Sequence, residues 1–129
     1  MEEPVRRKYS PSHHWVKAEG TRAIIGITDY AQSKTGFILY ADLPEKDERL
    51  IAGQYYGFLE TAAEEHDLLA PLTGRVIDVN EKVQRDPSIV NSSPEEYGWL
   101  IVAELEDPAQ LNGLWEESMY LNAYDAEND

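Results

Sequence analysis

Carboxylate and imidazole side chains, the groups that bind metal ions and move protons, are concentrated in one short stretch of this chain. They lie on either side of an alanine pair, Ala62-Ala63, and are Glu60, Glu64, Glu65, His66 and Asp67. Such oxygen ligands suit a hard cation, but the stretch lacks the Gly-containing loop spacing of a calcium motif. We therefore interpret it as a solvated acidic turn and expect no metal ion there.

Histidine and cysteine chemistry is limited in this sequence. His13 and His14 are adjacent, so on an extended segment their side chains would point to opposite faces. With His66 as the last imidazole and no cysteine, neither a zinc site nor thiolate catalysis is expected. The chain has no Ser/His/Asp arrangement with recognisable local context, no phosphate-binding glycine-rich loop and no dinucleotide-binding fingerprint. We therefore do not expect an enzyme.

The composition indicates one small domain. The 129 residues are 42% hydrophobic, enough for one core and too few for two comfortable domains, so a single domain is predicted over residues 1–129. A net charge of −14 would repel nucleic acid and anionic membrane surfaces. No stretch approaches the roughly 20 apolar residues of a membrane span. We expect a cytoplasmic protein that binds neither nucleic acid nor membranes.

Short β-prone runs separated by turn residues predict a mainly β fold, a barrel or a sandwich, with short helices. The stretch around the acidic residues reads as a hairpin and a third strand: Tyr55–Glu60, a small tip, Leu68-Leu69, then Pro71 and a Thr73-Gly74 turn. The other predicted elements are a hairpin with a Glu19-Gly20 turn, a helical turn capped by Thr28 and ended by Gly36, a strand over Phe37–Leu43, a surface loop over Pro44–Leu50 and a strand over Trp99–Leu105.

The two ends of the chain are predicted to differ. Residues 1–8 form an N-terminal extension, residues 107–124 two short helices, and residues 125–129 a frayed acidic tail. Asp107 followed by Pro108 is typical of an N-cap with proline at the first helical position.

At strand spacing, several tyrosines are interpreted as core or half-buried residues. They are Tyr9, Tyr30, Tyr40, Tyr55, Tyr56 and Tyr97.

Six segments, in order and with similar spacing, resemble the H protein of the glycine cleavage system. They are Tyr9–Val16, Gly26–Gln32, Leu43-Pro44, Asn80-Glu81, Val90–Pro94 and Gly98–Ile101. The resemblance covers nearly the whole chain. It implies the barrel-sandwich hybrid of lipoyl and biotinyl domains, in which a hairpin presents a lipoylated lysine to several enzymes.

The family's tip reads close to Glu-Ser-Val-Lys-Ala-x-Ser-Asp, and Glu60 and Asp67 frame it here. A gap-free registration places the lipoyl-lysine on Ala63, the neighbouring alanine on Glu64 and the serine on His66. The resemblance implies lipoate as cofactor, but the cofactor is an acid joined through an amide and Ala63 has no amine. No cofactor is therefore expected in this chain.

A second departure concerns the cleft into which the family's loaded arm folds. The resemblance places that cleft at Ser12, His14 and Asp67, and the family's glutamate is His14 here. An imidazole cannot supply the fixed anion that a carboxylate offers to an ammonium-like nitrogen. We interpret His14 as an exposed polar residue beside a core Trp15, and His13 as structural.

Neither a relocated lysine nor a laboratory substitution accounts well for Ala63. Lys17, Lys34, Lys46 and Lys82 are not predicted at a hairpin apex. A laboratory replacement of a native lysine at Ala63 would change one residue, whereas the following three also depart from the family tip.

Two hypotheses follow. The first is a non-lipoylated binding or regulatory module for lipoyl-handling enzymes, with a partner surface at Glu60, Glu64, Glu65 and His66. Its partners would be glycine decarboxylase, aminomethyltransferase, dihydrolipoamide dehydrogenase or lipoate-attaching enzymes. The alternative is the aminomethyl carrier of the glycine cleavage system, either in the family's own role or as an engineered Lys-to-Ala form of such a carrier. The sequence leaves open the actual partner, whether Ala63 is natural or engineered, the oligomeric state and whether the cleft binds another ligand.

Overall fold

The computed structural model describes residues 7–125, and in this range nine short strands form two antiparallel sheets. The six-stranded sheet has the order β1-β2-β3-β9-β8-β5, and the three-stranded sheet has the order β4-β6-β7. The strands are β1 Arg7–Tyr9, β2 His14–Glu19, β3 Arg22–Ile27, β4 Ile38–Asp42, β5 Arg49–Leu50, β6 Tyr55–Thr61, β7 Glu65–Leu69, β8 Gly74–Val79 and β9 Ile101–Leu105. The prediction of a mainly β barrel-sandwich hybrid is confirmed.

The helices in the described range are short, and three of them begin at a polar residue whose side chain caps the first turn: Thr28, Asn80 and Asp107. The helices are α1 Asp29–Thr35, α2 Glu81–Arg85, α3 Ser88–Ser92, a 3₁₀ helix Pro108–Gly113 and α4 Glu117–Asp125. The Thr28 hydroxyl accepts a hydrogen bond from the Ala31 amide, and Asp107 accepts one from the Ala109 amide, as expected of N-caps. None of the helices described here has the length and apolarity that a membrane crossing requires.

Apolar side chains from both sheets fill the space between them. In β9 the alternation is regular, because Ile101, Ala103 and Leu105 are buried while the residues between them are only partly covered. At one edge of the large sheet, α4 closes a smaller aromatic cluster. There the ring of Tyr120 stacks on Tyr9 at 5.1 Å between centroids. The C-terminal segment therefore covers the edge strand β1.

The fold differs from the sequence prediction in several details. The first hairpin turns at Gly20-Thr21, one residue later than expected, because Gly20 takes a left-handed φ of 63° and Glu19 pairs with Arg22. The predicted surface loop ends in a strand, since Leu50 is buried and pairs with Gly74. Three tyrosines placed in the core or half-buried are exposed instead. They are Tyr40, Tyr55 and Tyr97.

The central hairpin consists of β6 and β7 and packs edge to edge with β4. A bulge interrupts the pairing of β6 with β7 between Tyr55 and Gly57. A Cβ atom at Gly57 would overlap the carbonyl oxygen of Asp42, so only glycine lets β4 approach β6 this closely. Most of the predicted N-terminal extension and acidic tail lie outside the described residues, while Arg7 and Lys8 belong to β1.

Candidate functional site: the hairpin tip and the adjoining cleft

The tip of the β6–β7 hairpin is a tight turn held by one threonine. Strand pairing ends at Glu60 and Glu65, and the Thr61 amide donates to the Glu64 carbonyl over 2.9 Å. The Thr61 hydroxyl oxygen lies 3.3 Å from the amide nitrogens of both Ala63 and Glu64, from which it accepts hydrogen bonds. These local bonds order the turn without any cofactor.

Ala62 and Ala63 form the exposed apex of this turn. The side chains presented there are methyl groups, which can neither bind a metal nor attack an activated acid. The stretch from Gly57 to Val76 contains no lysine. Lys17 lies in β2, Lys34 in α1, Lys46 in a loop and Lys82 in α2, so none of these four amines is at the apex.

The charged and polar residues of the tip lie in two environments. Glu64 and Glu65 are exposed, as expected of a solvated turn. The His66 ring is turned inward, where its Nε2 atom is buried without a hydrogen-bond partner and lies 3.5 Å from the Glu64 carboxylate. His66 therefore belongs to a cleft beside the hairpin more than to the tip surface. The exposed tip consists of Ala62 to Glu65.

That cleft has a volume of about 320 Å³ and lies between α1, β7 and the segment before β2. Ser12, His14 and Asp67, the three positions that the resemblance assigned to the cleft, all line it. Asp67 lies at its border and is exposed, whereas Ile27, Leu59 and Leu68 form apolar walls. Sequence reasoning missed Tyr30 and Lys34, which also line the cleft from α1.

The interpretation of His14 as an exposed residue is wrong. Its side chain is only 1% exposed, and Nε2 lies 2.7 Å from the Tyr56 hydroxyl. Nδ1 lies 3.2 Å from the Ser12 carbonyl oxygen, which can only accept. Nδ1 therefore carries the proton, and Tyr56 donates to Nε2. Burial, partly offset by the Ser12 bond, lowers the pKa of His14 from 6.5 to about 4.

His14 is consequently neutral at pH 7, and the cleft has no fixed anion at this position. Burial also raises the pKa of Tyr56, so its hydroxyl remains protonated and able to donate. The Ser12 hydroxyl lies 2.8 Å from the Ser10 hydroxyl and 3.3 Å from His14 Nδ1. The chain of neutral groups occupies the cleft wall with its hydrogen bonds already satisfied.

His13 has a structural environment. It adopts a left-handed φ of 64°, and its Nδ1 atom lies 2.8 Å from the Tyr120 hydroxyl. The ring packs on Tyr30 and Tyr124 at centroid distances of 4.9 and 4.5 Å. The adjacent imidazoles of His13 and His14 therefore serve different parts of the structure: one holds α4, and the other supports the hairpin.

A larger groove of about 780 Å³ lies elsewhere on the molecule, beside α2 and Trp99. It shares no lining residue with the cleft at the hairpin. Its rim mixes cations such as Lys17 and Arg85 with carboxylates such as Asp78 and Glu96. It contains none of the site residues predicted from the sequence.

Comparisons with known proteins agree on one family. The family described as Glycine cleavage H-protein matches residues 7–127. A glycine cleavage system H protein of Brevibacillus brevis is 41% identical over 120 residues, covering 93% of this chain and 95% of the relative. One of Staphylococcus haemolyticus is 40% identical with the same coverage. The crystal structure of a Mycobacterium marinum glycine cleavage system H protein superposes with a TM-score of 0.84 at 28% identity, covering 94% of this chain and 98% of the other.

Proposed function

Because the chain belongs to the glycine cleavage H-protein family, we propose that it keeps the family's docking fold but acts without covalently bound lipoate. In this proposal it is a binding or regulatory module for enzymes that handle lipoyl carriers. It catalyses no reaction itself and works in the cytoplasm. Its partners are glycine decarboxylase, aminomethyltransferase, dihydrolipoamide dehydrogenase or the lipoate-attaching enzymes.

The observation that carries this proposal is the methyl group of Ala63 at the hairpin apex. Lipoate is held in the family through an amide, and forming an amide requires an amine nucleophile. The hairpin itself is intact, since Glu60 pairs with Glu65 and Thr61 closes the turn. The family's presenting element is therefore retained while the attachment group is replaced.

The cleft supports the same proposal independently of the tip. In the family, as the resemblance implies, a carboxylate at position 14 holds the nitrogen of the loaded arm. Here a buried, neutral imidazole fills that position and bonds to Tyr56 and Ser12. The Nε2 atom already accepts from the Tyr56 hydroxyl, and a neutral imidazole cannot form the ion pair that a carboxylate forms with an ammonium group. Compared with the family pattern that the resemblance implies, position 63 has no amine to carry the arm and position 14 has no carboxylate to hold it. Both differences support loss of the carrier role.

The test is the intact mass of the chain after incubation with lipoate ligase, lipoic acid and ATP. We expect no change for the native sequence, because no amine lies at the apex. Ala63→Lys restores that amine and is expected to be lipoylated in part, since Glu64 and Glu65 place two carboxylates beside the new ammonium and alter the surface that the ligase docks on. A lipoyl adduct on any lysine of the native chain would refute the proposal.

The carrier hypothesis is tested by reconstitution. Purified glycine decarboxylase, aminomethyltransferase and dihydrolipoamide dehydrogenase are assayed for glycine-dependent CO₂ release with this chain in place of a lipoylated H protein. We expect release at the level of a reaction without any H protein, even with the chain in excess. Sustained release would favour the aminomethyl carrier. Binding of the chain to these enzymes without release supports the module.

A further inference from the structure

The outer face of the three-stranded sheet, below the hairpin tip, carries large exposed apolar side chains. Tyr40 in β4 is 50% exposed and Tyr55 in β6 is 55% exposed. Leu69 in β7 is also exposed, and Phe58 is half-buried. Large apolar groups that remain in contact with water on a small domain mark an interaction surface more often than chance when they are contiguous.

The strand register shows that these side chains are neighbours. Tyr55 pairs directly with Leu69 across β6 and β7. The rings of Tyr40 and Phe58 lie 6.0 Å apart between centroids. Phe58 has its own strand partners on both sides, and these partners are acidic: Asp42 in β4 and Asp67 in β7. We call the four apolar side chains Tyr40, Tyr55, Phe58 and Leu69 the aromatic face.

Four carboxylates are interleaved with the aromatic face, and they are Asp42, Glu60, Glu65 and Asp67. Among residues 7–125, no side-chain hydrogen bond or ion pair engages any of these four carboxylates. Some carboxylates elsewhere on the surface are paired with cations, for example Asp47 with Arg75 at 2.5 Å, whereas others, such as Glu45 and Glu48, are in no ion pair of the described residues.

Three of these carboxylates also act on the Tyr55 hydroxyl. The pKa of the Tyr55 hydroxyl is raised, first by desolvation and then by nearby negative charges. Those charges are the carboxylates of Asp42, Asp67 and Glu65. The face therefore combines an apolar centre with unneutralised negative charge.

The charge determines what can cover this face. A second copy of the chain would bring the same four carboxylates against themselves, and like charges that face each other across an interface oppose association. Nucleic acid and anionic lipid are repelled for the same reason. A surface with an apolar centre framed by arginine and lysine satisfies both features, because it buries the aromatic rings and neutralises the carboxylates.

We propose that the aromatic face is a docking surface for a protein patch in which apolar side chains are framed by arginine and lysine. This inference rests on the proposed function as a binding module. It places a contact with the partner on the three-stranded sheet below the tip, in addition to the contact at the acidic turn. Tyr40 and Tyr55 are the anchors. The carboxylates orient the partner and speed its association.

Four variants separate the parts of this surface. Tyr40→Thr/Tyr55→Thr removes both exposed rings, and threonine keeps the strand preference. Tyr97→Thr is the matched control, because Tyr97 is 76% exposed and lies in the groove away from the hairpin. Glu65→Gln/Asp67→Asn removes two charges of the face. Glu45→Gln/Glu48→Gln removes two exposed charges outside it.

The first measurement uses a defined probe on the full chain. Amide chemical shifts of the ¹⁵N-labelled protein are followed during titration with a short capped peptide of alternating leucine and arginine, and with one of alternating serine and arginine. We expect shifts concentrated in β4, β6 and β7, and about tenfold tighter binding of the leucine peptide. Tyr40→Thr/Tyr55→Thr should remove that preference, while Tyr97→Thr should not. Equal binding of the two peptides, or shifts concentrated elsewhere, would mean charge attraction only and would overturn the proposal.

The second measurement titrates the same variants with each of the four classes of lipoyl-handling enzyme. Affinity lowered about tenfold by Tyr40→Thr/Tyr55→Thr, and lowered at low salt by Glu65→Gln/Asp67→Asn, supports the docking surface. An enzyme that binds native and face variants equally overturns this inference and leaves the proposed function standing. Peptide binding at the face without binding of any enzyme gives the opposite result: the inference stands and the proposed function fails.

Discussion

Acidification should destabilise the folded chain through His14 in a defined pH window. The folded state holds this imidazole neutral, with a pKa lowered from 6.5 to about 4 by burial. The unfolded chain therefore takes up a proton first as the pH falls. The contribution of His14 to the free energy of unfolding is fully present above pH 6.5 and is lost progressively down to about pH 4. It changes no further below that. At about 1.36 kcal/mol per pH unit, the loss is about 3 kcal/mol.

Other groups titrate in the same range, so a difference between two proteins is required. Burial raises the pKa of Glu95, which favours the folded state as the pH falls and opposes the effect of His14. We propose urea unfolding followed by tryptophan fluorescence from pH 4 to pH 8, for the native chain and for His14→Gln. The difference in unfolding free energy between the two removes the contribution of Glu95. His66→Gln is the matched control for loss of an imidazole.

The native chain should lose about 3 kcal/mol relative to His14→Gln between pH 7.5 and pH 4. A constant difference in unfolding free energy between the two proteins reports the hydrogen bonds lost in His14→Gln. It does not affect how that difference changes with pH. A difference that stays flat across this range would show that the folded chain does not hold the imidazole neutral. In that case position 14 would carry a cation in the folded chain at acidic pH, and the cleft wall would not be neutral.

Three further outcomes test the packing and charge of the same region. Tyr56→Phe leaves Nε2 of the buried imidazole without its donor and should lower the unfolding free energy at pH 7 by about 1–3 kcal/mol, measured by urea titration. Gly57→Ala places a methyl group against the Asp42 carbonyl oxygen and should lower the free energy of unfolding by about 1–3 kcal/mol. Amide hydrogen exchange should then become faster in β4 than in β9, and unchanged exchange would contradict the close approach of β4 to β6. Glu64→Ala/Glu65→Ala should weaken binding to a basic partner at low salt and have little effect at high salt, because exposed charges are screened over about 8–10 Å at physiological ionic strength.

Features that depend on neighbouring residues could be predicted from the sequence. The caps at Thr28 and Asp107 are side-chain bonds to amides two or three residues away, so residue type and spacing identify them. The hairpin could also be predicted, because β-prone runs flank a short polar and small tip, and its strands pair as far as Glu60 and Glu65.

Features that depend on distant contacts could not be predicted. The burial of His14 follows from its bond to Tyr56, which is remote in sequence and meets it only in the folded sheet. The exposure of Tyr55 was missed because a bulge at Gly57 breaks the alternation along β6, and because none of the described residues covers that face of the sheet. Strand β5 has two residues, too few to give a period.

The most direct test of the central claim is the intact mass of the chain purified from its own host grown with ample lipoate. The lipoylated proteins of the same cells serve as the positive control for the attachment machinery. With Ala63 at the apex, we predict the mass of the unmodified sequence. A mass increased by one lipoyl or octanoyl group, mapped by peptide sequencing to any lysine, would contradict the account.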